Sequence, residues 1–125
     1  MSNAKQFKLD LNRAYENKVL KRLENTVKEV SVGIADYLYE DTPVKTGRAR
    51  TNWLPSLNSP QRVTSITYRK PSIANTLAAY KLSDTVYISN NLTYIQRLNN
   101  GSSIQAPANF VTMAAQRVLV EKGLL

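Results

Sequence analysis

The chain is predicted to be α+β: a long N-terminal helix, a small antiparallel or mixed sheet, short helices and a C-terminal helix. Three observations predict this. Apolar residues recur at helical spacing from residue 11 to 38 and stop at Thr42-Pro43. Two runs rich in β-branched and aromatic residues, 61–69 and 84–89, follow with turn residues between them. Helical spacing then returns in Phe110, Ala114 and Val118. Two or three strands packed by helices on one face make a small α+β domain, and 125 residues are the usual length of one domain.

In the first element, Leu11, Tyr15, Val19, Leu23, Val27, Val30, Ile34 and Tyr37 advance by three or four, the period of an amphipathic helix. Asp10 is the expected N-cap, its carboxylate accepting from free backbone N–H groups. Glu24 and Lys28 stand four apart in the favourable order. Gly33 weakens the helix or admits a close neighbour. Pro43 sets the end, because the residue before a proline is driven out of the helical region. Such a helix is about 40–45 Å long, long enough for one face to serve another subunit.

Residues 42–60 are expected to form a loop or an extended basic arm, with Trp53 and Leu54 opening a short strand. Residues 61–69 read as a strand ended by Pro71, and 72–80 as a short helix with Ile73, Leu77 and Tyr80 on one side. The clearest strand is 84–89, after which Asn90-Asn91 turns the chain. A helical turn or two over 92–99 leads to a loop through Asn100-Gly101. Pro107 suits the first turn of the closing helix, and Gly123 suits the position just past its end. So small a sheet has exposed edges that a neighbour could complete.

Charge divides the chain. Residues 1–41 hold seven acids and seven bases, whereas 42–125 hold ten bases against Asp84 and Glu121. The surplus of +8 therefore lies past the first helix and favours acidic partners: nucleic acid, an anionic surface or an acidic protein face. There is no cysteine, so disulfides and thiolate metal sites are excluded, and no histidine, the commonest general base. No apolar run is long enough to span a membrane, and the first residues lack a signal core; synthesis in the cytoplasm follows.

An enzyme is not expected. Paired carboxylates could come only from Asp36, Glu40 and Asp41, which a solvated helix face explains. Thr46-Gly47-Arg48 lacks the second glycine and the lysine-hydroxyl pair of a phosphate loop, and Ser102-Ser103 has no base beside it. No cofactor and no metal are expected. The densest chemistry is Lys45, Arg48 and Arg50 around Gly47, followed by Trp53, the only tryptophan. These cations could grip phosphate with Trp53 stacking on a base, or could pair with acidic groups on a neighbour while Trp53 anchors the contact. No recognised nucleic-acid module accompanies them. A second segment runs from Tyr94 to Gly101, where Asn100-Gly101 tolerates positive φ and the following loop can project to a partner.

Together these segments resemble the small tail-completion proteins, also called neck or head–tail joining proteins, of long-tailed bacteriophages. Members carry a long N-terminal helix and then a Pro-Val-x-Thr-Gly-Arg-hydrophobic-Arg motif, here Pro43 to Arg50. Later comes an aromatic-rich stretch ending in Gly-Ser or Gly-Thr, here Tyr94 to Ser102, and a Pro-containing segment before the last helix, here Ala106 to Phe110. The resemblance spans nearly the whole chain in the same order. It implies a virion protein made in the host cytoplasm that forms a ring at the head–tail junction. A hexamer is expected, with a dodecamer as the alternative. Its partners would be the head connector or adaptor and the tail terminator or tube proteins, with genomic DNA passing through. The residues expected at intersubunit or ring-to-ring contacts are Lys45, Thr46, Gly47, Arg48, Arg50 and Trp53 in the arm, and Tyr94, Asn100, Gly101 and Pro107 in the second segment. The alternative is a basic protein using the Lys45–Trp53 arm on DNA phosphates.

Overall fold

The first helix outlasts its predicted start. In the computed structural model, which describes residues 2–44, 47–101 and 109–125, α1 spans Ser2–Asp41. Its 40 residues make it about 60 Å long. Asp10 is therefore not the N-cap. Residues 4–9 are mostly strong helix formers that carry the helix through, and the Asp10 carboxylate accepts from the Gln6 side chain one turn back, at 3.1 Å. The far end is where Pro43 places it. There the Thr42 N–H bonds the Leu38 carbonyl at 3.2 Å, and the Thr42 hydroxyl donates to the same oxygen.

After a 3₁₀ turn at Arg50–Asn52 come β1 (Leu54–Leu57), α2 (Ile73–Leu77), β2 (Val86–Ser89), α3 (Ile95–Asn99) and α4 (Phe110–Glu121). β1 and β2 form a two-stranded antiparallel sheet with Leu54 opposite Ser89 and Leu57 opposite Val86. Pro55 is tolerated because β1 is an edge strand. Beyond the ladder, the Asn58 side chain accepts from the Thr85 N–H and donates to Asp84, prolonging the pairing through a side-chain amide. The architecture is α+β, as predicted.

The expected strand at 61–69 does not form. Its β-branched residues meet no partner strand among the described residues, and Val63, Ile66 and Tyr68 are exposed, Ile66 at 81%. Two side-chain amides take the backbone groups a partner strand would have paired. Asn91 donates to the carbonyls of Gln61 and Val63, and Asn52 donates to the Ser65 carbonyl while accepting from its N–H at 2.7 Å.

Two apolar clusters meet at Ile88. One gathers Leu38, Trp53, Phe110 and Ala114, with Ile34, Ile95 and Leu98 around them. The other gathers Ile73, Leu77 and Tyr80 against Val27, Val32 and Val86. Ser72 caps α2 by accepting from the Asn75 N–H, so Ile73 and Leu77 both turn inward. Helix α4 buries Phe110, Ala114 and Val118 on α1 and ends at Gly123 in a paired-bond cap, Leu124 N–H to Leu119 and Gly123 N–H to Val120.

At Gly33, α1 lies directly against α4. A Cβ there would lie 3.0 Å from both methyl carbons of Val118. Gly33→Leu is therefore expected to destabilise the fold by about 2 kcal/mol. Overpacking at the upper end of its usual range, about 3 kcal/mol, is offset by about 1 kcal/mol of helix propensity. Chemical denaturation would check this, and an unchanged midpoint would place the helices further apart than described here.

Candidate interaction surface

Lys45 and Thr46 lie outside the described residues; the motif is visible from Gly47 onward. Gly47 has φ +83°, a conformation L side chains rarely adopt, and a Cβ there would meet open space. Its carbonyl receives the Thr51 hydroxyl at 2.7 Å, and the Arg48 carbonyl receives the Asn52 amide at 2.8 Å. Asn90 ties the turn to the end of β2 through the Ala49 carbonyl at 3.0 Å. Ala49, Thr51 and Asn52 are buried, Asn52 completely.

The segment from Gly47 onward is thus not an extended arm. Gly47–Leu57 folds onto the body because its small and amide residues satisfy one another's backbone groups. Trp53 is a core residue rather than a surface anchor. It sits in the cluster with Leu38 and Phe110, and its indole N–H donates to the Thr42 hydroxyl oxygen at 2.8 Å. Arg50 is half-buried, its guanidinium 3.9 Å from the centre of the Tyr39 ring, with Nε enclosed and without an acceptor. Lys70 lies near the same ring, 4.9 Å from its centre, and bonds Asp36 at 3.1 Å. Tyr39 is therefore held between two cations. Of the predicted arm cations that are described, Arg48 is the exposed one.

In the second segment, Tyr94 is half-buried just before α3, Asn100 is exposed just after it, and Gly101 has φ +89°. Pro107 and the loop over 102–108 lie outside the described residues. Sequence reading passed over Asn99, which holds the start of α4: its carbonyl accepts from Asn109 N–H at 2.6 Å and its side chain from Val111 N–H at 3.1 Å. The two motif segments meet in the cluster that holds Trp53, against which Ile95 and Leu98 pack. Beside it opens a cavity of about 340 Å³ lined by Gln96, Asn99, Asn100 and Val111.

A further surface was visible in the sequence only as a helical period. Leu11, Tyr15, Val19, Leu20 and Leu23 are all exposed on α1, Tyr15 at 70%, whereas Val27 onward turn into the body. About 20 residues of helix therefore stand clear of the packed core, about 30 Å. At the inner end, Arg117 lies 3.9 Å from the centre of the Tyr37 ring and bonds Asp41 at 3.1 Å. The Tyr37 hydroxyl donates to Glu121, and that bond raises its pKa above the ordinary 10.0. No described helix is long and apolar enough to cross a membrane.

The Asp84 carboxyl is held below its ordinary pKa, because it accepts from the Lys81 backbone N–H at 2.9 Å and from Asn58. A depressed carboxyl contributes stability that is fully present above its unfolded value and is lost as pH falls through the folded one. The window lies below the ordinary 3.8. Asp84→Asn is expected to flatten the acid limb of the stability profile there, and an unaltered limb would show that the bonds at Asp84 do not favour its charged form.

No family model matches the sequence, and comparison with curated proteins and with solved structures finds no similar chain.

Proposed function

We propose that this chain is a non-enzymatic structural subunit of the neck of a long-tailed bacteriophage. Copies form a ring, six around the axis or twelve where portal symmetry is followed. The ring completes the tail, joins it to the head connector, and lets genomic DNA pass through. The observation that carries the reading is the outer part of α1, whose row of large apolar side chains lies clear of the body. Helices in proteins draw most of their stability from packing an apolar face, and a row of this kind is the mark of a subunit that neighbours cover. The common packing of the two motif segments around Trp53 adds to it, since the resemblance rests on that pair.

The competing reading, a DNA-binding arm with Trp53 stacked on a base, loses its stacking platform to the core and one of its cations to Tyr39. Bacteriophage particles made without this chain are expected to accumulate as filled heads and separate tails under the electron microscope. Intact particles from such a preparation would overturn the proposal.

A further inference from the structure

We infer a head-to-tail contact between copies of this chain: the uncovered stripe of α1 in one copy lies along the outer face of α4 in the next. The inference deepens the ring reading above and rests on it. α4 covers α1 only between Glu29, which faces Lys122 at 3.8 Å, and Asp41, which Arg117 holds. Outward of that stretch Leu11, Tyr15, Val19 and Leu23 follow one another at four-residue steps with nothing upon them among the described residues. Residues so spaced are neighbours on a helix surface.

The same chain offers a matching surface. α4 buries Phe110, Ala114 and Val118, which leaves Met113 and Val120 exposed on its other side. Between these two lies an open groove of about 310 Å³, bounded by Gln116, Arg117 and Glu121. The lengths agree: α4 has 12 residues, and the stripe from Leu11 to Leu23 and α4 each run about 18 Å.

Charge selects this pairing over stripe against stripe. Residues 2–24 carry six cations and three acids, a surplus of three positive charges. Lys8, Lys18 and Arg22 each stand three residues from a stripe member. Two such segments laid together would repel. The receiving groove adds no such repulsion: Arg117 and Glu121, the charged residues that bound it, balance, and Arg117 is held by Asp41. A patch that meets a different patch on the next copy propagates, and closes into a ring when the rotation allows. Closure gives every copy two such contacts.

The chain has no cysteine, so introduced thiols report cleanly. Tyr15→Cys and Val120→Cys proteins, mixed and mildly oxidised, are expected to link 15 to 120 between copies. The yield should be about tenfold above that of an Asn17→Cys and Val120→Cys control, the ratio that about 1.4 kcal/mol of preference gives. Adding Val19→Glu to the Tyr15→Cys protein should abolish the link. Links of 15 to 15 in excess, or a 15-to-120 yield equal to the control, would overturn the contact. Joining of heads to tails that needs the chain, without this link, refutes the contact and leaves the neck reading. The link formed by a chain dispensable for joining refutes the neck reading and leaves the contact.

Discussion

Trp53→Ala is expected to lower the free energy of unfolding by about 3–5 kcal/mol, the range for emptying a large aromatic site in a core. The indole fills the space between α1, the sheet and α3, touching a cluster that includes Leu38 and Phe110. Its N–H also holds Thr42, 2% exposed, at the point where α1 ends. Removing it opens a cavity and takes a donor from a buried hydroxyl at once. Trp53→Phe separates the two effects. It keeps most of the volume and loses the hydrogen bond, for an expected loss of about 1–2 kcal/mol. Urea unfolding of the three proteins checks both numbers. A wild-type midpoint for Trp53→Ala would mean that the side chain lies on the surface, where sequence reasoning put it.

Phe110→Ala is the second large effect, again about 3–5 kcal/mol. Phe110 is 1% exposed and is the first residue of α4. The backbone there is fixed by Asn109 in the left-handed region, φ 63°, and by the bonds that the Asn109 and Val111 N–H groups donate to Asn99. Emptying so fully buried a site leaves a cavity. Phe110→Leu keeps the apolar character and should lose less than about 1.5 kcal/mol. Equal losses for the two variants would show that the site collapses around whatever is left, and that α4 is seated less firmly than its burial indicates.

The α+β class, the two helical rows and the strand at Val86–Ser89 were legible because each depends on neighbours a few residues away. Ile73, Leu77 and Tyr80 are all buried, as are Phe110, Ala114 and Val118, and every one of them was placed by spacing alone. The failures come from contacts distant in sequence. Residues 61–69 carry strand propensity, but a strand needs a partner, and the chain supplies Asn52 and Asn91 side chains instead. Asp10 resembles a cap, yet nothing at that position stops a helix whose preceding residues favour it. The destiny of Trp53 and Arg50 is decided by Thr42, Tyr39 and Phe110, none of which is adjacent to them. A cluster of cations around a glycine looks like an exposed arm until an aromatic ring captures one of them.

The candidate surface shows the same division. The apolar stripe of α1 was readable as a period, but periodicity does not tell which turns are covered. The positions of α4, ending beside Glu29, and of α2, whose cluster takes Val27, separate Val27 onward from the uncovered Leu11 to Leu23. The pairing of Asp41 with Arg117 and of Glu29 with Lys122 likewise depends on how α4 lies along α1.

The most direct test of this account is a cryo-electron-microscopy map of the assembled bacteriophage particle with this chain traced in it. The account predicts a closed ring at the head–tail junction, with Tyr15 and Leu23 of each copy seated against Met113 and Val120 of the next. A map in which the chain is missing from the particle, or in which the Leu11–Leu23 face looks into solvent, would contradict it.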